Sequence, residues 1–271
     1  MPFIQFKNKK IFYRLEGKGK PVLLVHGFAE DGKVWNKQVE VLKEKNLLII
    51  PDLPGSGSSE MLDEKTSIED YAEVVKALAD ETILINKVES NGTFSIIGHS
   101  MGGYITLAFA EMYPHLLNSF GLFHSSAFAD SEEKKTTRKK GIAFIQKNGT
   151  EPFIKTSVPN LFSEETKKEK PELVSQLFNI AKTISPQALI QYSNAMIARP
   201  DRTFVLKGSS KPVLLIAGKN DSAVPLPASL EQMSMAPISV THILQHSAHM
   251  GMWEEVALSN SFLSNFLNEL P

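Results

Sequence analysis

Cysteine is missing from all 271 residues, which excludes disulfides, thiolate catalysis and cysteine-ligated metal together. Long apolar runs are missing too, and none approaches the length of a bilayer-spanning helix. Nor is there a surplus of charge of one sign. The 29 basic and 30 acidic side chains leave a net charge of −1, whereas an electrostatic nucleic-acid binder carries a basic excess. The opening stretch, Met1 to Lys10, lacks the apolar core of a signal peptide. These absences set the expectation of a cytoplasmic protein with neither membrane nor nucleic acid among its partners.

What is present is an ordinary globular composition, 42% hydrophobic and 22% charged, on a chain long enough to bury a large α/β core with an insertion. Phe3 to Phe6 and Ile11 to Leu15 alternate apolar and polar residues, as antiparallel strands at a sheet edge do. Pro21 to Val25, Leu47 to Ile50 and Phe94 to Ile97 are near-continuous apolar runs, the pattern of parallel strands covered on both faces. Amphipathic helical patterns lie between them. One of these is opened by Thr66-x-x-Glu69, which has capping-box spacing. Successive βα units of this kind predict a mostly parallel, twisted sheet with helices on both faces.

The rhythm breaks between 128 and 202, where no strand-like run occurs and short helical stripes such as Leu173, Leu177, Ile180 and Ile184 take over. A structureless loop of that length is improbable, so the segment reads as a helical insertion into a core made of 1–127 and 203–271.

The chain is organised around Gly98-His99-Ser100-Met101-Gly102. This G-x-S-x-G sits between an apolar strand and a helix carrying Tyr104, Leu107, Ala108 and Met112. A strand turning directly into a helix strains the middle residue and pushes its hydroxyl out of the sheet above a helix N-terminus. A serine hydroxyl is a poor nucleophile at neutral pH and needs a base, and the base needs an orienting group. Both belong on loops at the carboxyl ends of the strands. Asp221 follows the strand Pro212 to Ala217, and His249 follows the last strand, near Val240 to Leu244. Alternatives exist at each position: His246 lies three residues before His249, and Asp130 follows the preceding strand in a charged run that reads as solvated.

Five segments taken together resemble the α/β-hydrolase superfamily, and within it the capped serine esterases and lipase-like hydrolases. They are His26-Gly27-Phe28, Asp52-x-Pro54-Gly55-x-Gly57-x-Ser59, Gly98-His99-Ser100-Met101-Gly102, Gly218-x-x-Asp221 with Val224-Pro225, and Ala248-His249-Met250. The resemblance implies an α/β-hydrolase fold with the 128–202 insertion as its helical cap. It also implies Ser100 as nucleophile, His249 as base and acid, Asp221 as orienting carboxylate, and an oxyanion hole from the Phe28 and Met101 backbone N–H groups. His26, His124, Phe153, Phe162 and Met196 are expected near the substrate pocket, with His26 ordering the oxyanion loop and the apolar members forming a roof.

The implied activity is hydrolysis of small hydrophobic carboxylic esters through an acyl-enzyme, with a small-molecule ester-like substrate and no metal or organic cofactor. Serine at position 100 argues against the relatives with an aspartate nucleophile, the haloalkane dehalogenases and epoxide hydrolases. Thioester hydrolysis, C–C hydrolysis, perhydrolysis and acyl transfer use the same triad. A slow-turnover ligand sensor is the alternative from another class.

Overall fold

The computed structural model describes residues 2–63, 65–85 and 92–269. Its strands are β1 (Phe3–Phe6), β2 (Lys9–Gly17), β3 (Lys20–Val25), β4 (Asn46–Pro51), β5 (Phe94–His99), β6 (Leu117–Phe123), β7 (Val213–Gly218) and β8 (Ser239–Leu244). The helices are α1 (Asn36–Leu42), α2 (Ile68–Ile85), α3 (Met101–Met112), α4 (Glu132–Asn148), α5 (Thr150–Ser157), α6 (Glu164–Glu169), α7 (Pro171–Ala181), α8 (Pro186–Ala198), α9 (Thr203–Lys207), α10 (Leu226–Met233), α11 (Gly251–Glu254) and α12 (Val256–Glu269). One eight-stranded sheet runs in the order β1-β2-β4-β3-β5-β6-β7-β8. The pairs β1–β2 and β2–β4 are antiparallel, and every other pair is parallel.

The all-apolar runs became the central strands. Val22 to Val25, Leu48 to Ile50 and Ile96 to Ile97 are wholly buried. Each such aliphatic side chain contributes roughly 1.5–3 kcal/mol relative to exposure. The strand order reverses about β3: β4 lies on one side of it and β5 on the other. At such a switch point the loops leaving the two neighbouring strands diverge and open a crevice. The register pairs Val25 with Gly98, so the loop starting at His26 and the turn at Ser100 leave the sheet side by side.

The predicted insertion is helical and runs from α4 to α9. Helix α8 is fastened to the core through Tyr192, whose hydroxyl donates to the Pro54 carbonyl (2.8 Å) and lies 2.9 Å from Ser56 Oγ. The Asp52-to-Ser59 loop is thus a packed support: Asp52 also accepts from Gly32 N–H and Ser58 N–H.

Three expectations need correction. The capping box at the start of α2 is Ser67 with Asp70, one residue later than predicted: Ser67 Oγ accepts from Asp70 N–H (3.1 Å) and Asp70 accepts from Ser67 N–H (3.0 Å). Thr66 instead donates to the Asp63 carbonyl. The apolar positions Trp253, Val256, Leu258, Phe262, Phe266 and Leu267 predict one C-terminal helix, and the structure forms two, α11 and α12, divided at Glu255. Asp130 is not solvated, being only 4% exposed. Cations on α4 and at the end of α8 fold in around it: Arg138 Nε lies 2.6 Å and an Arg199 terminal nitrogen 2.9 Å from its carboxylate.

Candidate active site

Ser100 joins β5 to α3 with φ 51° and ψ −116°, outside the regions open to ordinary residues. Such a conformation costs on the order of 1–3 kcal/mol and persists only where its surroundings fix it. Here Ser100 N–H donates to the Phe123 carbonyl (3.0 Å) and the Ser100 carbonyl accepts from Ser125 Oγ (2.7 Å). The flanking glycines are required by close approach. A Cβ on Gly98 would lie 2.2 Å from the Gly102 carbonyl oxygen, and one on Gly102 would lie 2.3 Å from that of Val25.

Asp221 leaves β7 and is 5% exposed. One carboxylate oxygen accepts from the backbone N–H groups of Ala223 (2.8 Å) and Val224 (2.9 Å). The other accepts from His249 Nδ1 at 2.8 Å and from His124 Nδ1 at 3.1 Å. Burial alone would push this carboxyl up, but the two imidazoles outweigh it and hold Asp221 far below the usual carboxylate range. With Nδ1 donating to Asp221, His249 keeps Nε2 as its basic nitrogen. Its main chain is held by a bond from His249 N–H to the Leu161 carbonyl (2.9 Å).

His124 follows β6 at φ 49° and is buried. Its Nε2 has no hydrogen-bond partner among the described residues and is packed so tightly that a Cβ on Gly251 would lie 2.3 Å from it. Burial is the largest influence and pushes the imidazole down to about 4, against the pull of Asp221, so it is neutral at pH 7. His124, Asp221 and His249 form a cluster with metal-capable atoms within 4.8 Å of one another, and the two N–H···O bonds account for that closeness.

The β3–α1 loop supplies the Phe28 N–H, and the first residue of α3 supplies that of Met101. Neither has an acceptor among the described residues. Beneath them lies an ion pair that the sequence did not announce. Glu30 accepts from Gly27 N–H (2.6 Å) and from His99 Nδ1 (3.0 Å), while His99 Nε2 donates to the His249 carbonyl (2.9 Å). Both nitrogens of His99 face acceptors, which makes it an imidazolium. Burial alone would raise the Glu30 carboxyl and lower the His99 imidazole. Each is reversed by its partner's charge, so the carboxyl lies below and the imidazole above its ordinary value.

A sequence model of the alpha/beta hydrolase fold family matches residues 20–256. The chain belongs to that family. Among relatives of this hydrolase, the RutD protein of Acinetobacter baylyi, named for carbamate hydrolysis, is 27% identical over 96% of this chain and 97% of its own. A 2-hydroxy-6-oxononadienedioate/2-hydroxy-6-oxononatrienedioate hydrolase of Paraburkholderia phymatum is 26% identical over 96% of this chain and 91% of its own. In three dimensions the hydrolase is similar to a thermophilic esterase from Thermogutta terrifontis, with a TM-score of 0.92 and 26% identity over 99% of this chain and 98% of that one.

In this hydrolase Ser100 and His249 line one cavity of about 500 Å³. Phe28, Leu161, Met196 and Val224 form its apolar lining. Of the residues expected at the pocket, Met196 is there and four are not among the lining. Phe162 packs with Trp253 of α11, ring centroids 6.5 Å apart, where the insertion meets the core. Phe153 stands behind Phe28, edge to face at 6.3 Å. His26 is buried and does not face the cavity; its Nε2 accepts from Leu53 N–H (2.8 Å) and its Nδ1 donates to the Gly27 carbonyl, which ties the β3–α1 loop to the one after β4. His124 lies behind Asp221. The alternative base, His246, has a side chain 70% exposed, and the alternative acid, Asp130, is engaged by arginines.

The sequence reading missed Glu30, Tyr104 and the inward-facing cations of α4, all of which line the cavity. A signal existed for the last: Lys134 and Arg138 fall four and eight residues after Asp130, on one helical face. None existed for Glu30, whose partner is distant in sequence. Among the described residues no helix is long and apolar enough to cross a membrane.

Proposed function

We propose that this hydrolase cleaves carboxylic esters through a covalent acyl-enzyme on Ser100. The carrying observation is the strained Ser100 elbow in one cavity with His249, whose Nδ1 donates to Asp221 at 2.8 Å. In this reading Ser100 Oγ attacks the acyl carbon as His249 Nε2 takes its proton, and Asp221 stabilises the resulting imidazolium. The oxyanion is met by the Phe28 and Met101 N–H groups, each worth about 3 kcal/mol to the transition state. His249 returns the proton to the departing alcohol. Water, activated by the same nitrogen, then releases the acid and regenerates Ser100.

The test is a panel of p-nitrophenyl esters and matched thioesters of varied acyl length, with a fluorophosphonate probe, on wild type and Ser100→Ala. Many turnovers and labelling in wild type, both lost in the variant, are expected. Labelling of Ser100→Ala at the wild-type rate would assign the nucleophile elsewhere. A stoichiometric burst without turnover would replace the enzyme by a ligand sensor, and thioester preference would change the substrate class while keeping the triad.

A further inference from the structure

The apolar lining of the cavity does not extend to all its walls. Helix α4 turns Lys134 and Arg138 toward it, and Tyr104 of α3 completes the same polar wall. Arg138 gives only Nε to Asp130 (2.6 Å), and its two terminal nitrogens have no acceptor among the described residues. Lys134 Nζ donates to the Ala223 carbonyl (2.9 Å) and stands 4.0 Å from Asp130, with further N–H groups to offer. Tyr104 is 3% exposed, and its hydroxyl has no hydrogen-bond partner among the described residues. The Arg199 guanidinium is stacked on its ring at 3.7 Å.

The charges around this wall do not cancel. Lys134 and Arg138 come from α4, and Arg199 from the end of α8. Against them stand Asp130 before α4, Glu133 on α4 and Glu30 from the β3–α1 loop. Glu30 is engaged by His99, and Glu133 is exposed to solvent, which screens it. That leaves three cations around the single buried carboxylate of Asp130. Tyr104 registers the imbalance. Burial alone would push its phenol up, yet the Arg199, Lys134 and Arg138 charges outweigh burial and hold it below its ordinary value.

We propose that Tyr104, Lys134 and Arg138 form an anion subsite for a carboxylate that the substrate carries away from its scissile bond. The favoured substrate is then a monoester of a dicarboxylic acid or a similarly acidic acyl compound. This rests on the hydrolytic reading of Ser100 and deepens it, replacing a purely hydrophobic acyl group by one with an ionised end. A carboxylate would accept from the free Arg138 nitrogens in a two-pronged bond and from the Tyr104 hydroxyl, with Lys134 adding charge.

The test compares kcat/KM for the p-nitrophenyl monoester of glutaric acid with that for neutral p-nitrophenyl pentanoate, at low and at high salt. The acidic ester is expected to be preferred by roughly tenfold at low salt, with the preference shrinking as salt rises. Lys134→Met should lower the ratio by most of that factor, and Tyr104→Phe should lower it severalfold. Lys140→Met, an exposed α4 position outside the cavity lining, should leave both the ratio and the activity unchanged. Arg138 is left intact because it also holds Asp130. Equal or better use of the neutral ester, or a ratio unmoved in both cavity variants, would overturn the subsite.

Glutarate itself, which has no bond to cleave, separates the two readings. It should raise the melting temperature of wild type and do so less for Lys134→Met and Tyr104→Phe. If neither ester turns over, the hydrolytic reading falls. Glutarate binding that is lost in those variants would then sustain the subsite, and absence of binding would remove it.

Discussion

Replacing His124 by asparagine should flatten the dependence of stability on pH below neutrality. In the folded protein the imbalance is set by burial, which pushes this imidazole from 6.5 down to about 4. Between those values the unfolded chain binds a proton that the folded chain refuses. Stability therefore rises with pH across the window, being fully present above 6.5 and lost as the pH falls toward 4. The full difference, 6.5 minus 4, corresponds to about 3 kcal/mol, of which about 2 kcal/mol falls between pH 7 and pH 4.5. His124 is wholly buried, so solvent screening takes little from that figure.

Asparagine suits the site, because it tolerates the positive φ of 49° and its amide can donate to Asp221 where Nδ1 does. Other groups contribute and should cancel in the comparison, among them His242, which burial also pushes down. Asp221, depressed when folded, loses its contribution only as the pH falls below the ordinary carboxylate range. His99, raised when folded, contributes fully below 6.5 and loses that contribution as the pH climbs through its folded value. The assay is urea unfolding of wild type and His124→Asn at intervals from pH 7 to 4.5. The gap between the two curves should move by about 2 kcal/mol in favour of the variant at the acid end. Parallel curves would show that His124 is not held neutral, and the account of the Asp221 cluster would fail with it.

Asp221→Asn should cut ester turnover by about 10⁴-fold, because the amide favours the wrong tautomer of His249. Near-normal turnover there, with loss in Asp130→Asn, would reassign the acid. Glu30→Gln strands the His99 charge in the interior and should cost roughly 3–5 kcal/mol of stability by urea unfolding. Adding His99→Gln should recover part of that loss, and strictly additive losses would refute the pairing. Asp130→Asn should likewise destabilise, by about 3 kcal/mol, through the buried Arg199. An unchanged unfolding midpoint would show that Arg199 does not depend on the carboxylate. Tyr192→Phe removes the bond to the Pro54 carbonyl that fastens α8, and about 1 kcal/mol of stability should go with it. A variant as stable as wild type would leave the fastening to packing alone.

The sheet and the elbow were legible because backbone geometry dictates both from neighbouring residues. Pro21 to Val25 can only be a covered strand, and glycines at 98 and 102 are demanded by carbonyl oxygens of Gly102 and Val25 within 2.3 Å. The cap was legible only as a break in rhythm, since short helices packing on one another leave no repeating signal. Its charged start was misread for a physical reason. A run such as Asp130 to Lys140 is solvated unless another element covers it, and the covering residue, Arg199, comes from the far end of the cap.

The least legible part of the site is the set of contacts tying its loops together. Three non-glycine residues with positive φ, Ala29, Ser100 and His124, sit just after β3, β5 and β6. Each is disfavoured by on the order of 1 kcal/mol or more. What opposes that strain is a continuous chain of buried polar bonds. Glu30 joins Gly27 to His99, His99 joins the elbow strand to the His249 carbonyl, His249 reaches Asp221, and Asp221 returns through His124 to the end of β6. Apart from the Gly27–Glu30 bond, which stays within the β3–α1 loop, each joins segments at least 28 residues apart, so no local pattern encodes it. Spacing alone could nominate a serine, a histidine and an aspartate, but the buried Glu30–His99 pair, and the place of His124 against Asp221, emerge only once the strand ends are set side by side.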